Sequence, residues 1–247
     1  MKNLPESIKP DAWLAQFFGR DAYRLTLDEK NLEEYRNPDS DSSAGLKHLQ
    51  GKKVFIYSKI PAGDLGAAAL LENRGFHLID TLVVFEKPLD PRREYAGKCR
   101  VRAAEEKDRA AVVELAGRSF VYSRFHIDPE IPVKTANEIK SAWVGNYFNG
   151  KRGDAMFVAE LSGKVAGFIL LIEVDNDLLA IDEIAVDAGA RRCGIATDLM
   201  AHSEKNYFGR ARFTAGTQVV NLPSTRFYIK NGFFISESHY VFHYHNV

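Results

Sequence analysis

Hydrophobic positions along this chain follow two periods. β-Branched and aromatic runs at 22–27, 54–59, 76–86, 99–103, 154–161, 164–174, 178–186 and 211–217 predict strands. Val112, Leu115, Ala116 and Phe120 recur at helical spacing, which predicts a helix over 105–117, and a second helix is expected over 133–148. Asp64 and Gly75 bracket an apolar stretch as N-cap and stop, giving a helix over 64–74. Further helices are expected to open at 192–196 and to cover 222–231, with short strands at 233–235 and 239–245. Ser162-Gly163 is a hairpin signal, and Asp175-Asn176-Asp177 makes the next turn. Residues 37–45, NPDSDSSAG, read as a turn-rich loop. Elements in this order indicate an α/β layer with a mixed sheet.

The strongest punctuation lies at 87–98, KPLDPRREYAGK. It divides the chain into an N-terminal α/β domain, 1–92, and a larger domain, 93–247. The two parts share a spacing, because Asp64 precedes Gly75-Phe76 by the same interval as Asn221 precedes Gly232-Phe233. Strand, helix and strand follow in order in both places. Either the first half is a degenerate copy of the second, or two helix–Gly–strand units share only their capping chemistry.

Charge and composition narrow the function. Lys plus Arg equals Asp plus Glu at 33 each, so no global field favours nucleic acid. The N-terminus, MKNLPESIKPDAW, has no apolar run suited to a signal peptide. The longest apolar stretch, 167–172, is too short to cross a bilayer. Cys99 and Cys193 have no metal-ligand spacing and suggest a reducing compartment. These features lead to the expectation of a cytoplasmic protein with a small-molecule substrate, without metal, nucleic acid or membrane. His239, His243 and His245 share one face of the last strand and are expected to be exposed on a sheet edge, since no acidic partner is near in sequence.

Chemistry concentrates at 181–207, IDEIAVDAGARRCGIATDLMAHSEKNY. An apolar strand leads into a turn of small and basic residues that opens a helix. Gly194 lets a ligand oxygen approach the backbone, and Ala196 leaves that approach clear. Unpaired N–H groups and the helix dipole attract an anion, while Arg191 and Arg192 add charge-assisted donors. The pattern R-x-x-G-x-A after I-A-V resembles the acyl-CoA signature of the GCN5-related N-acetyltransferase (GNAT) superfamily. That resemblance implies a mixed, mostly antiparallel sheet flanked by helices, with acetyl-CoA or another short acyl-CoA as cosubstrate. The main chain of Ile184, Ala185 and Val186 would pair with the pantetheine arm, and a main-chain N–H near Val186 would face the oxyanion. Backbone groups of Arg192, Cys193, Gly194, Ile195 and Ala196 would hold the pyrophosphate.

By the same resemblance, Asn221 would contact the pantetheine and Tyr228 would protonate the departing sulfur. The two stand seven residues apart on one expected helix and so share a face. The plain alternative for Tyr228 is a helix aromatic packed in the core. Glu183 would face the amine and accept its proton or orient it; the alternatives are an ion pair at a strand end and an ordered water as base. Asp182 is expected on the opposite strand face.

Three short motifs resemble bacterial nucleotide-linked amino-sugar acyltransferases of the dTDP-fucosamine type. They are Trp13 followed by Phe17-Phe18-Gly19, the pair Gly75-Phe76, and Ser123-Arg124-Phe125. Arg124 would bind a phosphate, and Phe125 or Tyr122 would stack on a base or sugar face. The other reading makes 119–132 a connecting loop only. The leading function is N-acylation of a nucleotide-linked deoxyamino sugar. An aminoglycoside or other small-amine acetyltransferase and a non-catalytic acyl-CoA sensor stand beside it, and a homodimer is left open.

Overall fold

The computed structural model describes residues 4–92, 97, 99–207 and 209–247. The first half contributes β1 (Ile8–Pro10), α1 (Ala12–Phe18), β2 (Asp21–Leu25), α2 (Leu32–Arg36), α3 (Asp41–Gln50), β3 (Val54–Pro61), α4 (Leu65–Asn73) and β4 (His77–Pro88). Next come β5 (Arg100–Ala103), α5 (Arg109–Ser119), the short α6 (Arg124–Ile127), α7 (Val133–Phe148), β6 (Ala155–Leu161), β7 (Lys164–Glu173) and β8 (Leu178–Val186). The remaining elements are α8 (Ile195–Asn206), β9 (Arg212–Gln218), α9 (Leu222–Lys230) and β10 (Phe234–Asn246).

Among the described residues the strands form one sheet, ordered β1-β2-β3-β10-β4-β9-β8-β7-β6-β5. Only the pairs β2–β3 and β8–β9 are parallel, so the sheet is mixed and mostly antiparallel. The sequence pattern placed α7 and β8 at their observed bounds. The predicted strands 233–235 and 239–245 are a single strand, β10, whose register shifts between Ile235 and Glu237. The predicted loop 37–45 is partly helical. Ser40 caps α3 by accepting from the Ser43 N–H, and Leu46 and Leu49 bury the helix against the N-terminal core. Polar, turn-forming residues are overridden there by burial of the face that follows. The expected boundary at 87–98 begins in β4, and its residues 93–96 and 98 lie outside the described set.

The order of strands contains a two-fold relation. Exchanging β1 with β7, β2 with β8, β3 with β9 and β4 with β10 reverses the order β1-β2-β3-β10-β4-β9-β8-β7 into itself. Parallel and antiparallel pairings are preserved at every step. The caps match as well: Asp64 accepts from the Ala67 N–H and Asn221 from the Ser224 N–H. The Phe76 and Phe233 N–H groups return to the Leu71 and Tyr228 carbonyls at 3.0 and 3.1 Å. Gly75 and Gly232 have φ of 78° and 87°, the left-handed turn that a side chain would strain. A capping motif alone does not produce matching order and sense over eight strands. Each half receives a strand from the other, because β10 lies between β3 and β4, and β4 between β10 and β9.

Four apolar clusters cover the two faces. α8 and α9 pack over β4 and β6–β9 around Phe85, Leu199, Phe213 and Tyr228. α5 and α7 cover the other face around Val112, Val144 and Phe168. In the first half, α3 and α4 close one side around Leu46, Ile56 and Leu71, while α1, α6 and α7 close the other around Leu14, Phe55 and Ile139.

Candidate active site

The site begins where two parallel strands part. β8 and β9 pair only from Leu178↔Arg212 to Ile181↔Ala215. Beyond that point β9 runs along β4 to Gln218, while β8 stays on β7 to Val186. Among the described residues, the main chain of Ile184, Ala185 and Val186 therefore has no strand partner on the β9 side. In the first half the equivalent strands, β2 and β3, remain paired along all of β2, and Leu71 stands where the second half has Tyr228.

A bulge at Asp182 helps to set this divergence. Leu170 pairs with Glu183 and Leu171 with Ile181, leaving Asp182 as the extra residue. An extra residue breaks the alternation of side chains, and the expected opposition of Asp182 and Glu183 is corrected accordingly. Both carboxylates turn toward α7, where Asp182 accepts from Trp143 Nε1 at 3.0 Å and from the Arg152 guanidinium. Glu183 is paired with Lys140 and is 8% exposed. Burial raises the Glu183 carboxyl above the usual carboxylate range, against the opposing pull of Lys140.

Past Val186, the Asp187 side chain accepts from the Gly189 N–H, and Arg191 donates to the Val186 carbonyl at 3.2 Å. Arg192 and Gly194 both have positive φ, 64° and 86°. Reversals of this kind turn successive N–H groups toward one point and form anion-binding nests. Gly194 is the N-cap of α8 and offers no side-chain acceptor, so the first-turn N–H groups stay open beside exposed Arg191 and Arg192. Exposed Cys193 lies between Arg192 and Gly194, with Ile195 anchoring the helix in the core and Ala196 half-buried. Gly194→Val should impose left-handed strain of roughly 1–2 kcal/mol on this turn. The expected outcome is a severalfold rise in KM for acetyl-CoA at little cost to kcat, read from steady-state kinetics with Tm as a folding control.

Tyr228 is 4% exposed, packed between Phe85 and Phe233 with ring centroids at 5.3 Å from each. Burial, followed by the negative charge of Glu183, pushes its phenol well above the ordinary value. Asn221 is the cap of α9 rather than a residue within it. Its Nδ2 donates to Thr217 Oγ1 at 2.9 Å while its oxygen accepts from Ser224.

The residues expected to meet an acceptor are placed differently from one another. Tyr122 is 37% exposed, whereas Phe125 is 3% exposed and belongs to the core under α1 and α7. Its ring is therefore taken up by packing and by the Arg124 guanidinium 4.4 Å away. Tyr57 stacks on the other side of Arg124 at 4.1 Å.

The histidines also depart from expectation. β10 is interior to the sheet, and His243 and His245 are buried beside Asp128, a residue 115 positions away from His243 in sequence. Arg124 donates to His243 Nε2 at 3.2 Å and Arg20 to His245 Nδ1 at 2.7 Å. A guanidinium only donates, so both imidazoles accept on that side. They then donate their remaining N–H groups to Asp128 Oδ2 at 2.6 and 2.9 Å. Asp128, His243 and His245 have ligand atoms within 4.8 Å of one another, but each imidazole lone pair already faces an arginine. The donor set suits a chain of hydrogen bonds rather than a cation. No sequence signal near the histidines could have revealed their partner.

A mixed sheet whose parallel strands β8 and β9 part beside the first turn of α8 is the arrangement of an acyltransferase fold. A family model described as "Acetyltransferase (GNAT) family" matches residues 111–233, and the chain belongs to that family. It is 30% identical over 192 residues to spore coat polysaccharide biosynthesis protein SpsD of Bacillus subtilis (strain 168), which takes in 76% of this chain and 66% of that protein. Among solved structures, a GCN5-related N-acetyltransferase from Sphaerobacter thermophilus matches with TM-score 0.63 and 15% identity, over 97% of this chain and 76% of that one. A tandem GNAT protein from the clavulanic acid biosynthesis pathway matches with TM-score 0.61 and 14% identity, over 98% and 84%. At these identities the structural likeness is one of fold, and it extends through both halves of the chain. Among the described residues no helix is long and apolar enough to cross a membrane.

Proposed function

We propose that the chain transfers an acetyl or short acyl group from acyl-CoA to the amine of a nucleotide-linked deoxyamino sugar. The observation that carries this reading is the opening between β8 and β9, which has an unpartnered main chain on one side and Tyr228 packed close by. Ile184, Ala185 and Val186 offer backbone groups to the pantetheine, and the nest at 192–196 takes the pyrophosphate. The acceptor nitrogen, once neutral, attacks the thioester carbonyl, and a main-chain N–H near Val186 stabilises the oxyanion. The C–S bond then breaks as the Tyr228 phenol gives its proton to sulfur, yielding amide and free thiol. Glu183, or a water that it holds, takes the proton lost by the ammonium before attack, and the second proton, lost by nitrogen as the amide forms, restores the Tyr228 phenol.

The choice of acceptor is supported by the likeness to a polysaccharide biosynthesis protein and by the charges at the site. An acidic cleft would suit a polycationic aminoglycoside. Asp182 and Glu183 are instead neutralised by Arg152 and Lys140. Thiol release from acetyl-CoA, measured against dTDP- and UDP-amino sugars, aminoglycosides and polyamines, tests the reading. The expected result is turnover with a nucleotide-linked amino sugar; activity confined to aminoglycosides or polyamines would overturn the acceptor assignment.

A further inference from the structure

On the sheet face beneath α6 and α7, the register sets Lys59 of β3, Val241 of β10 and Asp80 of β4 in one row. His239 and Leu82 stand in the next row, and Arg24 of β2 is in register with Tyr57. Alternation of side chains puts Arg24, Tyr57, Lys59, His239 and Asp80 on the same face. Arg124 reaches this face from α6, held between the Tyr57 ring and His243.

Two features of this row lack an internal explanation. Asp80 is 6% exposed, and its carboxylate meets no side-chain donor, only the Thr81 backbone N–H at the edge of hydrogen-bond geometry. In the next row His239 Nδ1 is buried and unpartnered, while its Nε2 faces Glu237. A buried polar group short of partners costs roughly 1–3 kcal/mol, and an under-bonded carboxylate and imidazole in adjacent rows suit a partner from outside the chain. The second feature is an excess of positive charge. Lys59 is reachable by solvent and has no ion-pair partner among the described residues. Surrounding protein, followed by the like charges of Arg124, Lys140 and Arg24, pushes its ammonium down to about 8. Burial pushes the Asp80 carboxyl up to about 6. Asp11, which accepts from the Tyr57 hydroxyl and the Leu14 N–H, offsets one of these charges and leaves cations in excess.

The row connects to the reaction centre through Lys140, which bonds to Glu183 and whose charge reaches Lys59. β9 separates β4 from β8, and β10 separates Lys59 on β3 from β4, so reaching from Glu183 to Lys59 takes a sugar extended by a diphosphate and not a sugar alone. We propose that this row is the subsite for the acceptor's anionic arm. Lys59, Arg24 and Arg124 hold a nucleoside diphosphate, and Asp80 and His239 take hydroxyl groups of the sugar between that arm and Glu183. The assignment rests on the acyl-transfer reading above for its direction, and its ligand chemistry comes from the row itself.

The test uses dTDP and UDP, with saturating acetyl-CoA, both in equilibrium dialysis and as inhibitors of thiol release. One nucleotide is expected to bind the wild-type protein and to compete with the amine acceptor but not with acetyl-CoA. Lys59→Met should weaken that binding roughly tenfold, as for loss of one charge-assisted contact, with KM for acetyl-CoA unchanged. Arg24→Gln, at an exposed strand position, gives an independent reading if Lys59→Met folds poorly. Asp80→Asn should raise KM for the nucleotide-linked sugar while leaving nucleotide affinity unaltered. Binding that is absent in the wild type, or unchanged from the wild type in both cation variants, overturns the subsite. Acyl transfer to nucleotide-free amines with dTDP and UDP inert would remove the subsite and leave the transferase. Nucleotide binding at Lys59 without thiol release from any amine would do the reverse.

Discussion

Tyr228→Phe is expected to lower kcat for thiol release by about a hundredfold or more, the scale of a lost general acid. KM for acetyl-CoA should stay within about twofold, because the group acts on the transition state and not on cofactor binding. The phenylalanine ring retains the contacts with Phe85 and Phe233, so Tm should change little. The raised pKa has a further consequence. A phenol held well above its ordinary value stays protonated throughout the working range, so the basic limb of the pH–rate profile should not belong to Tyr228. Full activity in the variant would exclude Tyr228 as the acid, and loss of the fold would expose the choice of control.

Acid should destabilise the protein through His243. Its imidazole is fully buried and held down to about 4 from an unfolded value of 6.5. Burial is the largest cause, and the Arg124 and His245 charges act in the same direction, while Asp128 opposes them. A depressed folded value means that the unfolded chain binds the extra proton first. The stability held by neutral His243 is therefore complete above pH 6.5 and is lost as pH falls toward 4. At 1.36 kcal/mol per unit, the loss is roughly 3 kcal/mol. Asp128 is held below the usual carboxylate range and stays ionised across this window. Urea unfolding at a series of pH values should show the decline, and His243→Gln, which does not titrate, should lack that increment whatever its stability at pH 7. Parallel curves for the two proteins would assign the acid sensitivity elsewhere.

Much of the architecture was legible because local signals agreed with tertiary ones. α7 has an amphipathic period over its whole length, and β8 is an apolar run bounded by turn residues, so both were placed correctly. The caps Asp64 and Asn221 and the glycines after α4 and α9 were readable from chemistry that acts over a few residues. The turn at 191–196 was legible for the same reason, since small residues and arginines cluster within one helical turn.

Features that depend on register or distant contacts were not legible. The bulge at Asp182 changes which face two consecutive carboxylates occupy, and composition carries no sign of it. His243 and His245 looked like edge residues because β10 follows a helix near the end of the sequence, yet its neighbours, β3 and β4, precede it by more than a hundred positions. Phe125 appeared suited to stacking on a ligand, but the hydrophobic face of α1 claims it. Asp80 and Lys59 carry no local signal, since a lone aspartate and a lone lysine in apolar strands become notable only when the register sets them in one row.

The exchange of strands between the halves also constrains how the chain is made. β3 and β4 meet mainly through β10, so during synthesis the first half must wait, with two long strand edges unpaired, until β10 has left the ribosome. Contacts that span most of the sequence are slow to form, and open edges invite pairing with other chains. Nascent chains stalled before β10 should therefore be the aggregation-prone and chaperone-bound species. A strand order that makes the sheet continuous has made β3 and β4 depend on a strand more than a hundred positions later.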